Sequence, residues 1–314
     1  RVGIQHFMNG PESFTVDSRM LLGETPALDG LFVAAGMNSV GVMSSAGVGR
    51  VLADWMIEGH APIDLWEVDI ARADPLASAA AHVQTRMQEA VADVFALHWP
   101  FKQPTAGRGL RKSVLHDDWA QAGAVFGQTA GWERGLWYAQ DQSERSLPYS
   151  VGAQAWYPIA LREAARMQTG TALLDLSPFG KFDISGPDAL AFVQQIATAN
   201  LDVPVGRAVY TVLLNARGGI EADVTVRRDD AARFRLVSGA ATRWRDAAWL
   251  RRRAVGFDVA ISDATEAEAV IGVMGAGARD LLMGLSPDDW QDFPFSTARQ
   301  VTIAGKTCTA QRVS

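Results

Sequence analysis

Apolar and polar positions trade places with period two along the chain from Ile220 to Val226. Ile220, Ala222, Val224 and Val226 alternate with Glu221, Asp223 and Thr225. That period belongs to a strand with one buried face. A second apolar run, Tyr210 to Leu214, precedes it, and residues 215–219 separate the two. A break that closes on two glycines predicts a hairpin loop, because glycine tolerates the positive φ of tight turns. Arg233 to Ser238 reads as a third strand and Lys181 to Ile184 as a short one. Elsewhere the period becomes helical. Val83, Met87, Val91 and Val94 form one stripe within a helix over 78–98, with Arg86 and Glu89 off it. A helix over about 44–57 places Val48, Leu52, Trp55 and Met56 inward, with Gly59 just beyond its end. Further helices run from Pro158 to Gly170, from Pro187 to about Ala199, and onward from a capping Thr242 through Arg253. A strand at 268–274, a helix at 277–285 and a hairpin over 301–313 complete the series. Leu31 to Ala35 is a short strand ending on Gly36. The polar run 141–146 reads as a linker or exposed loop, and the segment around Pro75 as a domain junction. Strands and helices alternate irregularly, which gives a mixed α/β and α+β class.

Composition narrows the function. The 314 residues leave room for two or three domains, and 48% hydrophobic with 20% charged is a globular balance. The net charge of −6, with no block of Lys and Arg, argues against a nucleic-acid partner. No apolar run is long enough for a membrane span, and no signal peptide is recognisable. The single cysteine, Cys308, excludes an internal disulfide framework and suits a reducing compartment, and the scattered histidines offer no spaced metal-ligand set. The chain opens on Arg1 and stops at Ser314 inside an apparent strand, so a piece of a longer protein is expected.

Four places carry candidate chemistry. Glu221 and Asp223 share a strand face in this pattern. They are ordinary surface residues if that face meets solvent, and partners for a basic ligand nitrogen if it lines a pocket. The strand, glycine turn and helix over 31–57 either present backbone N–H groups to a polar cofactor edge or use Gly41, Gly47 and Gly49 for close packing. His6 is a catalytic candidate or a hydrogen-bonding residue. The arginines of the 243–253 helix either bind phosphate or a polyanionic tail, or simply complement the helix dipole in solvent.

Taken together, these stretches resemble a known family. Residues 6–59 are similar to the C-terminal part of the flavin domain of dimethylglycine and sarcosine dehydrogenases. Residues 108–139 look like their central domain. Residues 175–200 and 210–226 resemble the start of their folate-binding domain, which is shared with the aminomethyltransferase of the glycine cleavage system. The resemblance divides the chain into a flavin-domain tail at 1–73, a central domain at 74–130 and part of the folate-binding domain at 131–314. It implies an enzyme that demethylates an N-methyl amine such as dimethylglycine or sarcosine at FAD and passes the one-carbon unit to tetrahydrofolate. The flavin-contact turn would fall on Gly36, Asn38, Ser39 and Gly41. The folate site would hold Tyr210 and Asp223, with Asp223 as its catalytic carboxylate. Electrons would pass to oxygen or to an accepting partner. The compartment would be the cytoplasm in a bacterium or the mitochondrial matrix in a eukaryote. Val114 and Ala276 stand where the family favours proline. The family's amino-terminal dinucleotide fingerprint is absent from this sequence, so the stretch is expected not to hold FAD by itself. Two other readings remain: a non-catalytic relative like the regulatory subunit of pyruvate dehydrogenase phosphatase, and a folate-dependent aminomethyltransferase without redox chemistry.

Overall fold

A computed structural model describes residues 3–313. The chain divides into two compact units. One holds the described residues up to His98 together with Pro104–Gly107, and the other holds Trp99–Gln103 and everything from Arg108 on.

In the first unit, β1 (Leu21–Glu24) and β2 (Phe32–Ala35) form an antiparallel pair, followed by α1 (Gly41–Glu58) and α2 (Ala80–Val94). Gly59 ends α1 at φ +74°, its N–H bonded to Trp55 O. Trp55 is the buried residue of α1, and it meets β1 at Gly23, where an added Cβ would lie 2.5 Å from the indole ring. Met56, expected inward, is exposed, as are Val42, Met43 and Ile57. A two-stranded pair is too narrow to cover more than one strip of an 18-residue helix. Arg86 of α2, expected off the buried stripe, is buried and donates to Gly107 O at 3.4 Å. Beside it, Glu89 accepts from the N–H groups of Thr105 and Ala106 at 2.7 and 2.6 Å, so both polar residues serve the returning 104–107 strap.

The second unit begins with α3 (His116–Gln121) and the hairpin of β3 (Ala124–Thr129) and β4 (Trp132–Tyr138). The apolar and polar pattern of the sequence does not announce this hairpin. Its turn, Ala130–Gly131, has two positive φ values, one of them at a non-glycine residue. The 141–146 segment lies inside this unit. Trp137 Nε1 donates to Glu144 O at 2.8 Å, and the Glu144 carboxylate is forked to Arg162.

The remaining elements are α4 (Tyr157–Thr169), β5 (Ala172–Asp175), β6 (Gly180–Ser185), α5 (Ala189–Ile196), β7 (Ala208–Leu214), β8 (Ile220–Asp230), β9 (Arg233–Ser238), α6 (Arg243–Arg253), β10 (Ala260–Asp263), β11 (Ile271–Met274), α7 (Ala278–Leu285), β12 (Ala298–Ile303) and β13 (Lys306–Gln311). An antiparallel five-stranded sheet in the order β10-β6-β9-β8-β7 organises them. Its inner face supplies Phe182, Ile184, Leu213, Val224, Val226, Phe234 and Leu236. Ala189, Phe192, Val193 and Ile196 of α5, at helical spacing, close that core together with Ala247 and Leu250 of α6. Gly186 has φ +138°, and a Cβ there would meet Asp258 O at 2.4 Å, so glycine is required where β6 turns into α5.

Candidate functional site

The β7–β8 hairpin positions the two residues expected at a folate site. Tyr210 pairs with Thr225 and Val212 with Asp223, so Tyr210 and Asp223 are diagonal neighbours on the face opposite Val224 and Val226. Tyr210 Oη donates to Asp223 Oδ2 at 3.3 Å. Both side chains are exposed, and the neighbouring Asp223 charge pushes the tyrosine hydroxyl above its ordinary pKa.

Glu221 is placed differently from the expected strict alternation. The register slips between Leu213, opposite Ala222, and Leu214, opposite Ile220, leaving Glu221 as an extra residue in the ladder. Ile220 consequently lies exposed instead of joining the core. The Glu221 carboxylate accepts from Arg245 Nη2 of α6 at 2.6 Å and from Asn215 Nδ2 at 3.1 Å. Asn215 also organises the hairpin loop, its Oδ1 accepting from the N–H groups of Arg217 and Gly219 at 3.0 and 2.9 Å. Its type, a side chain that turns on its own backbone, is the signal by which this role was readable. The two acids therefore have separate tasks. Glu221 is spent on α6 and the loop, while Asp223 has no ion pair among the described residues and can accept hydrogen bonds from a ligand N–H edge.

Behind the hairpin lies a group that the sequence reading missed. Asp246 of α6 is buried and accepts from Thr242 Oγ1 at 2.7 Å. Thr242 therefore donates into the helix instead of capping a backbone N–H. Burial, aided by the like charge of Asp223, raises the Asp246 carboxyl to about 6. A Thr four residues before an Asp on a helix is visible in sequence, but the burial that shifts the acid comes from the sheet.

The same sheet carries two charged clusters. Arg235 on β9 bonds Asp183 through Nε at 2.7 Å and Glu268 through both terminal nitrogens at 2.6 and 2.9 Å. Lys181 on β6 donates to the carbonyls of Ser177 and Phe179, and burial lowers its ammonium to about 8. Arg243 bonds Asp263 and Glu266, each at 2.8 Å, and Arg111 shares Glu266 at 2.9 Å. These cations are committed to carboxylates and carbonyls. At the far end of α6, Arg251, Arg252 and Arg253 occupy the last turn, where the dipole favours them.

The turn expected to contact flavin is in the first unit. Gly36, Asn38 and Ser39 all have positive φ, at +62°, +47° and +65°. The space a Gly36 Cβ would need is taken by Thr15 Cγ2, 2.4 Å away. Asn38 is buried, its Oδ1 accepting from Thr15 N at 2.9 Å and its Nδ2 donating to Gly36 O at 2.6 Å. Those two residues thus build the turn. What faces outward is Ser39 and the start of α1 at Gly41, where no side chain caps the helix and no acid occupies the first turn. Uncapped N–H groups without a competing carboxylate suit a polar or anionic cofactor edge. His6 is exposed, and among the described residues no interaction of its ring draws it to either site. No helix among the described residues is long and apolar enough to cross a membrane.

Two family models match stretches of the chain, both of them beyond the turn at Gly36 to Gly41. Residues 115–314 match the GCVT N-terminal domain model, and residues 58–113 match the FAD dependent oxidoreductase central domain. The chain is 41% identical over 314 residues to 4-methylaminobutanoate oxidase (formaldehyde-forming) of Paenarthrobacter nicotinovorans, covering 99% of this chain and 38% of that protein. It is 30% identical to mitochondrial sarcosine dehydrogenase of Mus musculus, covering 100% of this chain and 39% of that protein. Among solved structures it is similar to glycine cleavage system aminomethyltransferase T from Bartonella henselae, at TM-score 0.50 and 25% identity, over 60% of this chain and 47% of that one. The chain thus spans well under half the length of these curated relatives.

Proposed function

The chain belongs to the GCVT-domain family, with a central domain of the FAD-dependent dimethylglycine and sarcosine dehydrogenase type, and from that premise we propose that it is the folate-binding and central portion of an N-methyl amine oxidoreductase. In this reading FAD, when bound, supplies the two-electron oxidation of the amine, and tetrahydrofolate is the acceptor of the one-carbon unit. The chain's own residues do the rest. Asp223 accepts hydrogen bonds from the amino-bearing edge of the folate ring and takes up or returns a proton at its Oδ atoms. Tyr210 holds that carboxylate through Oη and offers its ring face for stacking. Ser39 and the first-turn N–H groups of α1 would hold a polar edge of the flavin. The observation that carries the reading is the division of labour in the hairpin: Asp223 is open beside Tyr210, while Glu221 is consumed by Arg245 and Asn215.

Calorimetric titration of tetrahydrofolate into the chain tests the folate half. Asp223→Asn should weaken binding about tenfold or more, because a charge-assisted hydrogen bond is worth roughly 1.5–3 kcal/mol. Unchanged affinity would remove Asp223 from the site. In a longer protein that carries this chain, the same substitution should leave amine-dependent flavin reduction intact, lower the yield of methylenetetrahydrofolate and release more formaldehyde. Loss of flavin reduction in a folded Asp223→Asn protein would contradict the separation of the two sites. An aminomethyltransferase without redox chemistry would bind folate and never reduce flavin. A purely regulatory relative would do neither.

A further inference from the structure

A cleft of about 450 Å³ lies in the second unit, between the end of α3, the end of β4 and one side of α4. It shares no residue with the Tyr210–Asp223 hairpin. Its floor is a close approach of two backbones. Ala139 N donates to Gly123 O at 2.9 Å, and a Cβ on Gly123, at φ +96°, would stand 2.4 Å from Ala139 O. Around that floor stand Arg145, Arg162, Glu163 and Arg166, with the amides of Gln121 and Gln140.

Internal bonds account for part of this charge. Arg162 is forked to Glu144, Nη1 to Oε1 at 2.9 Å and Nη2 to Oε2 at 2.8 Å. Glu163 accepts from Tyr138 N at 2.7 Å. Arg145 and Arg166 have no ion pair and no side-chain hydrogen bond among the described residues. Arg166 sits one helical turn after Arg162, so the fixed and the unpaired guanidinium occupy the same side of α4. In a chain with 29 basic and 35 acidic residues, two unmatched arginines on one concave surface are an imbalance that invites a ligand.

We propose that this cleft binds a small molecule through a single phosphate or carboxylate group, held by Arg145 and Arg166. A guanidinium fork matches either group and can bond it through two parallel N–H donors. The Arg162–Glu144 pair keeps the α4 wall in place, and the two glutamine amides supply neutral donors and acceptors for the remainder of the ligand. Glu163 sets the limit on charge. Its carboxylate faces the same space and repels a polyanion, so the cleft takes one anionic group at a time.

The test uses this chain, ¹⁵N-labelled, with the arginine Nε–H resonances followed during separate titrations with inorganic phosphate and acetate. Sodium chloride at matched ionic strength is the reference. The expected result is a saturable shift with phosphate, acetate or both that chloride does not reproduce. Saturation with phosphate alone assigns the cleft to phosphate-bearing ligands, and saturation with acetate alone to carboxylates. Arg145→Gln and Arg166→Gln should each weaken saturation at least about tenfold, whereas Arg166→Lys, which keeps the charge and loses the fork, should fall between. Arg251→Gln, which removes the same charge from the end of α6, should bind as the parent does. Asp223→Asn should also leave the anion titration unchanged, so the result stands apart from the folate reading. Shifts equal to those in chloride for both probes overturn the proposal. So does saturable binding that survives both Arg145→Gln and Arg166→Gln.

Discussion

The five-stranded sheet with α5 and α6 and the first unit with α1 solve the problem of an apolar surface in opposite ways. On the sheet, fourteen buried apolar residues form one cluster, with Ile184, Phe192, Phe234 and Leu250 fully enclosed. On α1, 18 residues bury Trp55 alone, and Val42 is 95% exposed. Both regions have apolar residues at regular spacing, so pattern by itself does not decide burial. What decides it is how much partner surface the chain brings. Two helices close over five strands in one region, whereas a pair of four-residue strands meets a long helix in the other. Stability should therefore concentrate in the sheet, and cofactor chemistry that leans on α1 should depend on surface beyond the β1–β2 pair.

The largest expected effect separates the two regions directly. Phe192→Ala removes a fully buried ring that meets Phe257 edge-on at 5.5 Å, and should cost about 3–5 kcal/mol. Val42→Ser should change stability by no more than about 0.5 kcal/mol. Urea denaturation of both variants at an unchanged m-value is the measurement. A large loss at Val42 would mean that the α1 face is covered in solution.

Next comes the charge cluster on the sheet. Arg235→Met takes the fork from Glu268 and leaves Asp183 only Arg233 at 3.8 Å, and breaking a buried pair from one side costs about 3–5 kcal/mol. Glu268 is half exposed and can rehydrate, so about 3 kcal/mol is expected here. A neutral result would show that solvent reaches Asp183 as well.

Asp246 gives a pH test with a definite sign. Its carboxyl rises from an ordinary 3.8 to about 6 in the folded chain. Between those values the native state holds more protons than the unfolded state, so this group's contribution is favourable in acid and is lost as pH rises. The difference corresponds to about 2–3 kcal/mol. Asp246→Asn should thus gain stability relative to the parent as pH goes from about 4 to 6.5, then hold level. Depressed carboxyls such as Asp263, bonded to Arg243, act in the opposite direction at lower pH, and they cancel in the comparison of the two proteins. A difference that stays flat across this range would place Asp246 in contact with water.

These contrasts also explain what the sequence could reveal. The existence of α5 and of the β7–β8 and β12–β13 hairpins is legible because local signals and glycine turns agree with the final fold. The β3–β4 hairpin is obscured by Gly127 and Gly135 inside its strands and by a turn that uses Ala130 at positive φ. Met56 was misplaced because periodicity marks a face without saying whether anything covers it. Asn38 is in the expected turn, but its amide bonds Thr15, 23 residues away, a partner that no local pattern announces. The division between Glu221 and Asp223 hangs on one register slip, which strict period two hides.

That slip supports the smallest and most discriminating prediction. If Glu221 belongs to the framework and Asp223 to the ligand, substitutions two residues apart should separate stability from binding. Glu221→Gln keeps size and can still bond Asn215, but it leaves Arg245 facing an uncharged amide in a pair whose side chains are only 19% and 14% exposed. A loss of about 1 kcal/mol in stability is expected, scaled down from a buried pair because water still reaches the rim. Asp223→Asn touches only the 3.3 Å bond from Tyr210 on an exposed surface, so its stability should stay within about 0.5 kcal/mol of the parent. Tetrahydrofolate affinity should show the reverse order, falling with Asp223→Asn and changing little with Glu221→Gln. Urea midpoints and calorimetric titrations on the same three preparations measure both axes. Equal losses on both axes for the two variants would mean that the hairpin acts as a single framework element, and the ligand carboxylate would have to be sought elsewhere on the sheet.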